Sequence, residues 1–87
     1  MLERDIERLV CAFAKRNGWL CFKWTSPNYR GVPDRMFIRD GVVIFVEFKA
    51  PGKKPTKKQR HVMGLLEDEF MLVYVIDNVD AGKELFK

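Results

Sequence analysis

A two-residue turn signal between two apolar runs constrains this chain more than any other feature. The dipeptide DG at 40–41 separates DRMFIR from VVIFVEFK, and both runs have the composition of β-strands. An Asp-Gly pair in that setting is the strongest short-range signal for a β-hairpin with a two-residue turn. The turn fixes the register, because Arg39 then faces Val42 and, further along, Asp34 faces Glu47.

The predicted register brings three charged side chains to one end of the sheet. Directly opposed residues share a face, so Asp34 and Glu47 lie side by side, and Lys49 points the same way two residues later. An ionised carboxylate in an apolar run is costly unless it is paired or binds a metal. Two interpretations stay open: a hard dication such as Mg²⁺ or Mn²⁺ joins the carboxylates, or Lys49 alone neutralises them in a structural cluster.

The remaining patterns predict the element order α-β-β-β-α-β with a short last helix. The predicted ranges are a helix at 2–16, strands at 19–24, 34–39 and 42–49, a helix at 56–69, a strand at 71–76 and a helix at 79–86. The segment MLVYVI at 71–76 is apolar throughout, so we expect it at the centre of the sheet. The helix before it makes a right-handed crossover, which predicts a parallel pair within a mixed four-stranded α/β (α+β) fold.

Two polar residues on the predicted helices have two interpretations each. Glu7 falls on the apolar arc of the first helix, between Cys11 and Ala14, where it either reaches the carboxylates or keeps its head in water. The predicted apolar face of the second helix is formed by Val62, Leu65, Leu66 and Phe70. Gln59 stands at the third position of that helix, where it forms a capping box with Thr56 or serves the site.

Length and composition set the broad class. The 87 residues predict one domain, 1–87, and a domain this small gains stability as a homodimer. No apolar run has transmembrane length and the start does not resemble a signal peptide, so we expect a soluble, cytoplasmic protein without a membrane partner. Cys11 and Cys21 are expected as reduced thiols, and a single histidine, His61, makes zinc sites poor candidates.

The net charge of +4 is concentrated in one block. Residues 49–61 contain six Lys or Arg and no acid, which indicates a polyanionic partner, although a solvated loop and helix start would have the same composition. We therefore expect contacts to a nucleic-acid backbone, and aromatic or basic residues of the earlier loop add to them. The candidates are Lys23, Tyr29, Arg30, Lys53, Lys54, Lys57, Lys58 and Arg60.

Three motifs together resemble a known family. GVPD at 31–34, EFK at 47–49 and TKKQ at 56–59 are similar to the VRR-NUC domain, a branch of the PD-(D/E)XK endonuclease superfamily. Pro33-Asp34 resembles the PD element and Glu47-Phe48-Lys49 the (D/E)XK element. The resemblance covers nearly the whole chain and implies a restriction-endonuclease-like core of order αβββαβ.

The resemblance also implies roles for these residues. Asp34, Glu47 and the backbone carbonyl of Phe48 would bind Mg²⁺, for which Mn²⁺ would substitute, and Glu7 would support the metal directly or through water. Lys49 would orient or help deprotonate the attacking water. Gln59 resembles the active-site glutamine of the family and would contact water or phosphate.

The expected function is that of a Mg²⁺-dependent endodeoxyribonuclease that hydrolyses phosphodiester bonds and leaves 5′-phosphates. No element suits base-edge readout, which favours structure-selective cleavage of branched DNA. The size and layout are similar to those of archaeal Holliday-junction resolvases, so a homodimer that cuts four-way junctions is the first hypothesis. The alternatives are a flap, nicking or restriction-type nuclease, and a nucleic-acid-binding module with an inactive site.

Overall fold

The computed structural model describes all 87 residues as three helices and four strands. The elements are α1 (Glu3–Arg16), β1 (Leu20–Lys23), β2 (Arg35–Arg39), β3 (Val42–Phe48), α2 (Lys57–Asp68), β4 (Leu72–Ile76) and α3 (Val79–Phe86). Their order, αβββαβα, matches the order that the sequence predicts. No helix combines the length and the apolar character needed to cross a bilayer.

The β2–β3 hairpin forms at the predicted turn. Asp40 and Gly41 have φ angles of 52° and 79°, the left-handed values that a two-residue type I′ turn requires. The pairing runs from Arg39 with Val42 to Arg35 with Val46. The predicted register is therefore confirmed throughout the ladder, and Asp34 lies one residue beyond its last pair.

The sheet order β1-β2-β3-β4 corrects one expectation. β3 and β4 are parallel, as the α2 crossover predicts, but β4 lies at the edge of the sheet and not at its centre. Its Leu72, Tyr74 and Val75 are exposed. The apolar composition of the run predicts a central strand. The chain has no further strand to pair with the outer edge of β4, so β4 ends the sheet.

The two faces of the sheet carry different layers. One face, here the α1 face, presents Phe37, Ile44 and Val46 to α1 and α3, and this is the main core. The other face, here the α2 face, presents the alternate residues Phe45 and Glu47 on the side of α2. The main core consists of Ile6, Val10, Cys11, Ala14, Trp19, Phe37, Ile44, Val46, Phe48, Ile76 and Phe86.

The apolar face of α2 is shorter than predicted. Val62 and Met63 are buried, but Leu65 is exposed and Phe70 is 93% exposed. Phe70 also has a φ of 64°, a left-handed conformation that a bulky residue rarely adopts. The structure places Phe70 beyond the end of α2, and it does not continue the helix's buried face.

Candidate functional site

The candidate site lies where β3 ends, on the α2 face of the sheet. Glu47 belongs to β3 and is 3% exposed, the only charged residue in the buried set. Asp34 precedes β2, and its Oδ2 accepts a hydrogen bond of 2.8 Å from the backbone N–H of Phe48. The hairpin register and this bond hold the two carboxylates at one end of the sheet. The predicted convergence is therefore present.

The two oxygens of Glu47 have different surroundings. Its Oε2 accepts a hydrogen bond of 3.0 Å from Nε2 of Gln59 and lies 3.5 Å from Nζ of Lys49. Its Oε1 is buried and has no hydrogen-bond partner. A buried carboxylate oxygen without a partner costs free energy, so this atom fits a ligand that the chain itself does not supply.

The pKa values of the carboxylates reflect their surroundings. Burial, followed by the charge of Asp34, raises the pKa of Glu47 to about 7, although Lys49 acts in the opposite direction. Burial also raises the pKa of Asp34, and the Phe48 amide partly opposes it. Two acids whose ionised forms disfavour each other are a recurrent feature of metal sites and of general acid–base sites.

The GVPD turn packs against α2. Pro33 is buried, and Gly31 has a φ of 91°. A Cβ on Gly31 would lie 3.0 Å from the carbonyl oxygen of Lys58 and 3.1 Å from a methyl group of Val62. Glycine is required at this position for its conformation and for its space, and the close approach joins the loop that carries Asp34 to the helix that carries Gln59.

Gln59 has two roles at once. Its backbone N–H donates to Oγ1 of Thr56 at 3.1 Å, and its Oε1 accepts from the backbone N–H of Thr56 at 2.9 Å, which completes the capping box. Its Nε2 donates to Glu47. The two interpretations from the sequence are therefore compatible: the amide oxygen caps α2 and the amide nitrogen orients a carboxylate.

The acids of α1 lie close to this site but not within it. Oε2 of Glu7 accepts a hydrogen bond of 2.7 Å from Nε of Arg35, which follows Asp34 on the α1 face. No three His, Cys, Asp or Glu side chains form a group that could hold a metal ion. The charges of Glu7 and Glu3 both contribute to the raised pKa of Asp34, and the charge of Glu3 also contributes to that of Glu47.

Sequence reasoning missed Glu3 and Arg35. Glu3 has a bearing on the helix similar to that of Glu7, but a residue at a helix start is easily set aside as frayed. Arg35 lies directly after the GVPD motif, and strand alternation places it on the face of α1. The alternation was available from the sequence, but the angular position of Glu7 relative to β2 was not.

The predicted cationic contacts fall into two groups. On the α2 side, a cleft of about 440 Å³ is lined entirely by Lys57, Lys58 and His61, and Nζ of Lys58 lies 4.9 Å from the centre of the Tyr29 ring. Four further predicted residues, Arg30, Lys53, Lys54 and Arg60, are exposed. Lys23 lies apart from these residues, on the α1 face, because it pairs with Arg35 in register.

Comparisons with known proteins support one family. No family model matches the chain. A protein of Acyrthosiphon pisum secondary endosymbiont phage 1, named "Putative nuclease p44", is 39% identical over 84 residues, which cover 95% of this chain and 90% of the phage protein. A solved structure described as "VRR_NUC domain" superposes with a TM-score of 0.88 at 22% identity, covering 95% of this chain and 91% of that one.

Proposed function

This chain belongs to the VRR-NUC family of nucleases, and we propose that it is a metal-dependent, structure-selective DNA endonuclease that resolves four-way junctions. One observation carries the metal-dependent part of the proposal: Glu47 is buried beside Asp34 and keeps an oxygen without a partner. An apolar residue at that position would make the fold more stable, so the presence of a carboxylate there indicates a functional role.

The donor set fits a hard dication. Two carboxylates at one end of the sheet, with neither sulfur nor imidazole beside them, favour Mg²⁺, with Mn²⁺ as a substitute. Asp34 and Glu47 would hold it, with the carbonyl of Phe48 as a further ligand and Glu7 in support. When bound, the ion supplies Lewis-acid stabilisation of charge on the phosphoryl oxygens and a more acidic water.

The chain's own residues would prepare the attack. Lys49 is only 14% exposed and lies beside Glu47, so its ammonium would orient the attacking water and offset charge that develops on the phosphate. Gln59 holds the Oε2 atom of Glu47 in place and leaves Oε1 free. Hydrolysis in this arrangement would break the P–O3′ bond and leave a 5′-phosphate.

The cationic residues of the α2 side would track the DNA backbone. Lys57, Lys58 and His61 line one cleft, and the capping box leaves the backbone N–H groups of Lys57 and Lys58 at the start of α2 free to receive a phosphate. Contacts of this kind give affinity and salt dependence but no sequence choice. They favour cleavage that depends on the shape of the DNA.

The outer edge of β4 would form the interface of a homodimer. Its unpaired backbone is flanked by exposed apolar side chains, among them Phe70, Leu72 and Tyr74. An exposed apolar edge strand invites pairing with a second strand, and a two-fold axis brings the same edge from a second copy. Two copies would supply the two cuts that a four-way junction needs. Phe70→Asp should give a monomer in sedimentation velocity, and an unchanged sedimentation coefficient would contradict this interface.

A cleavage assay with matched substrates tests the proposed function. A fixed four-way junction, a flap, a nicked duplex and the linear arms are each incubated with Mg²⁺, Mn²⁺ or EDTA. We expect paired nicks in the junction, with 5′-phosphate ends, only when a metal is present.

The other outcomes select the alternatives. Faster cleavage of flaps or linear duplexes than of junctions would indicate a flap, nicking or restriction-type nuclease. Binding of DNA without turnover in either metal would indicate a binding module with an inactive site. Cleavage at the same rate in EDTA would contradict the proposed metal dependence.

A further inference from the structure

A second cationic region lies on the α1 face of the sheet, whereas Glu47 lies on the α2 face. A cleft of about 370 Å³ opens between α1 and β2. Four of its seven lining residues are cations, and only one is an acid. The lining residues are Arg4, Glu7, Arg8, Cys11, Ala12, Lys15 and Arg35.

The row of α1 residues along the cleft has a small side chain, Ala12, at one position. Arg4, Arg8, Ala12 and Lys15 follow one another at helical spacing, so they occupy one side of the helix. Three of the four are long and cationic, whereas Ala12 is small. A long side chain at that position would fill the cleft, so the alanine leaves room between Arg8 and Lys15.

The guanidinium of Arg35 is oriented but not fully used. Glu7 accepts a hydrogen bond from its Nε at 2.7 Å, and no oxygen accepts from its two terminal nitrogens. A guanidinium held at Nε, with no oxygen bonded to its terminal nitrogens, is well arranged for a phosphate oxygen. Because Arg35 already neutralises Glu7, the remaining charge of the cleft is strongly positive.

The acids nearest the cleft do not cancel that charge. Asp5 lies 3.8 Å from Arg8, a loose pair in which the arginine side chain is 68% exposed. Lys23 adds a further cation, because its backbone pairs with that of Arg35 and its side chain points to the same face. Negative groups are thus outnumbered around the opening of the cleft.

We propose that this cleft, the α1 cleft, binds backbone phosphates of a part of the DNA that is not cut. The proposal rests on the proposed function, because it assumes DNA as the substrate, and it adds a second contact region to it. The strand to be cut would follow the cations of the α2 side to Glu47. Arg35 directly follows Asp34, and successive side chains of a strand point to opposite faces. The α1 cleft and the carboxylate site are therefore one residue apart at the start of β2.

A salt titration with matched variants tests the α1 cleft. Arg8→Gln with Lys15→Gln removes two exposed cations of the cleft but leaves the Glu7–Arg35 pair intact. Lys83→Gln with Lys87→Gln, here the α3 variant, removes the same charge from the last turn of α3 and the residue after it, where both side chains are exposed. The affinity for a labelled four-way junction is measured in EDTA between low and moderate salt, so that no cleavage occurs.

The expected result is a change in the salt dependence. Each phosphate contact contributes about 0.9 to the slope of log affinity against log salt, so the cleft variant should lose about 1 to 2 from that slope. The α3 variant should keep the slope of the wild type, and both should melt at the wild-type temperature. An unchanged slope in the cleft variant, or an equal loss in the α3 variant, would contradict the proposal.

Cys21 offers a second readout that does not depend on cleavage. Its contact with Cys11, together with Arg35 and Lys15, lowers its pKa to about 7. A phosphate in the α1 cleft would screen these cations, and an increase of one in the pKa slows alkylation by iodoacetamide about fivefold at neutral pH. We expect DNA to protect the Cys21 peptide in mass spectra of the metal-free protein.

Two comparisons identify the ligand and separate this proposal from the nuclease proposal. Protection of Cys21 by inorganic phosphate but not by DNA would overturn DNA as the occupant, and no protection by either would overturn the site. A protein that shows the slope change and the protection but cuts no DNA with any metal would retain the α1 cleft and lose the proposed nuclease activity. The reverse pattern would retain only the nuclease.

Discussion

The carboxylate site and the α1 cleft lie on opposite faces of the same strands and treat charge in opposite ways. In the carboxylate site Glu47 is buried, Asp34 and Lys49 are partly exposed, and one oxygen of Glu47 has no partner. In the α1 cleft the cations Arg4, Arg8 and Lys15 are exposed, and the one acid that lines it, Glu7, is paired with Arg35.

This difference separates two kinds of contribution. A buried charge changes the stability of the fold and the pKa of its neighbours, because little solvent screens it. An exposed cation changes neither by much, but it contributes to affinity through the release of counterions. Substitutions on the two faces should therefore act on different measurements.

Removal of a carboxylate is expected to have the largest effect. Asp34→Ala or Glu47→Gln should lower the rate of metal-dependent cleavage by about 10³-fold or more, because each removes a proposed metal ligand. Affinity for the junction in EDTA should not fall, since the exposed cations remain. Single-turnover cleavage and fluorescence anisotropy measure the two quantities.

The α1 cleft variant provides the contrast for this experiment. Arg8→Gln with Lys15→Gln should weaken binding yet cut at nearly the wild-type rate once the DNA is saturated with protein. Cleavage that survives in Glu47→Gln would contradict the assignment of the carboxylate site. If the cleft variant were as inactive as Glu47→Gln at saturating protein, the α1 cleft would not be a binding site only, and the proposed difference between the faces would be wrong.

The stability of the metal-free protein should decrease as the pH rises from 5 to 8. The folded protein raises the pKa of Glu47 from 4.5 to about 7, so between these values it binds more protons than the unfolded chain. The stabilisation is complete below pH 4.5 and is lost as the pH passes 7, and it amounts to about 3 kcal/mol. The raised pKa of Asp34 acts in the same direction.

Urea unfolding at several pH values in EDTA measures this dependence. Glu47→Gln should flatten the profile and be more stable than the wild type at pH 8. Mg²⁺ should stabilise the wild type more at pH 8 than at pH 5, because its ligands must be deprotonated. A wild type that gains stability between pH 5 and 8 in EDTA would mean that Glu47 is not buried as the structure shows.

The hairpin explains why so much of the fold was predictable. The Asp40-Gly41 turn is a local signal with one favoured geometry, and it fixes which residues face each other along two strands. The Thr56–Gln59 capping box is equally local. The position of β4 was not predictable in this way, because MLVYVI has the same composition whether or not another strand pairs with its outer edge.

The site was predictable where it depends on register and not where it depends on packing. Register places Asp34 beside Glu47 from the sequence alone. The partner of Glu7 depends on how α1 is rotated over the sheet, and that rotation is set by side chains from several elements. The orphaned Oε1 of Glu47 depends on the orientation of Gln59, which no sequence pattern encodes.

Substitutions should separate the two roles of Gln59, the cap of α2 and the hydrogen bond to Glu47. Thr56→Ala removes the cap and should cost about 1 kcal/mol of unfolding free energy, while the bond from Gln59 to Glu47 persists. Gln59→Glu keeps an acceptor for the Thr56 N–H but replaces the donor to Glu47 with a second carboxylate. It should therefore retain the helix cap, raise the pKa of Glu47 further and slow cleavage at neutral pH.

Thermal unfolding and a pH–rate profile distinguish these variants. The rate of Gln59→Glu should recover as the pH rises, whereas that of Thr56→Ala should match the wild type at temperatures where both are folded. A Gln59→Glu variant with the wild-type pH profile would show that Gln59 serves only as a cap.

The smallest expected effects concern Glu3 and Glu7, and they decide which acid of α1 belongs to the carboxylate site. The charge of Glu3 raises the pKa of both Asp34 and Glu47, and its carboxylate has no ion-pair partner. Glu3→Gln should therefore stabilise the metal-free protein by a few tenths of a kcal/mol at pH 8, because it relieves repulsion at an exposed position.

Glu7→Gln should do the opposite, because it leaves the half-buried guanidinium of Arg35 without its carboxylate and should cost about 1 kcal/mol. If Glu3 supports the metal, Glu3→Gln weakens Mg²⁺ binding by calorimetry while Glu7→Gln leaves it intact. Weaker binding in Glu7→Gln alone would instead support the role at the metal that is proposed for Glu7. Either result refines the contrast between the faces, since Glu7 also lines the α1 cleft and Glu3 does not.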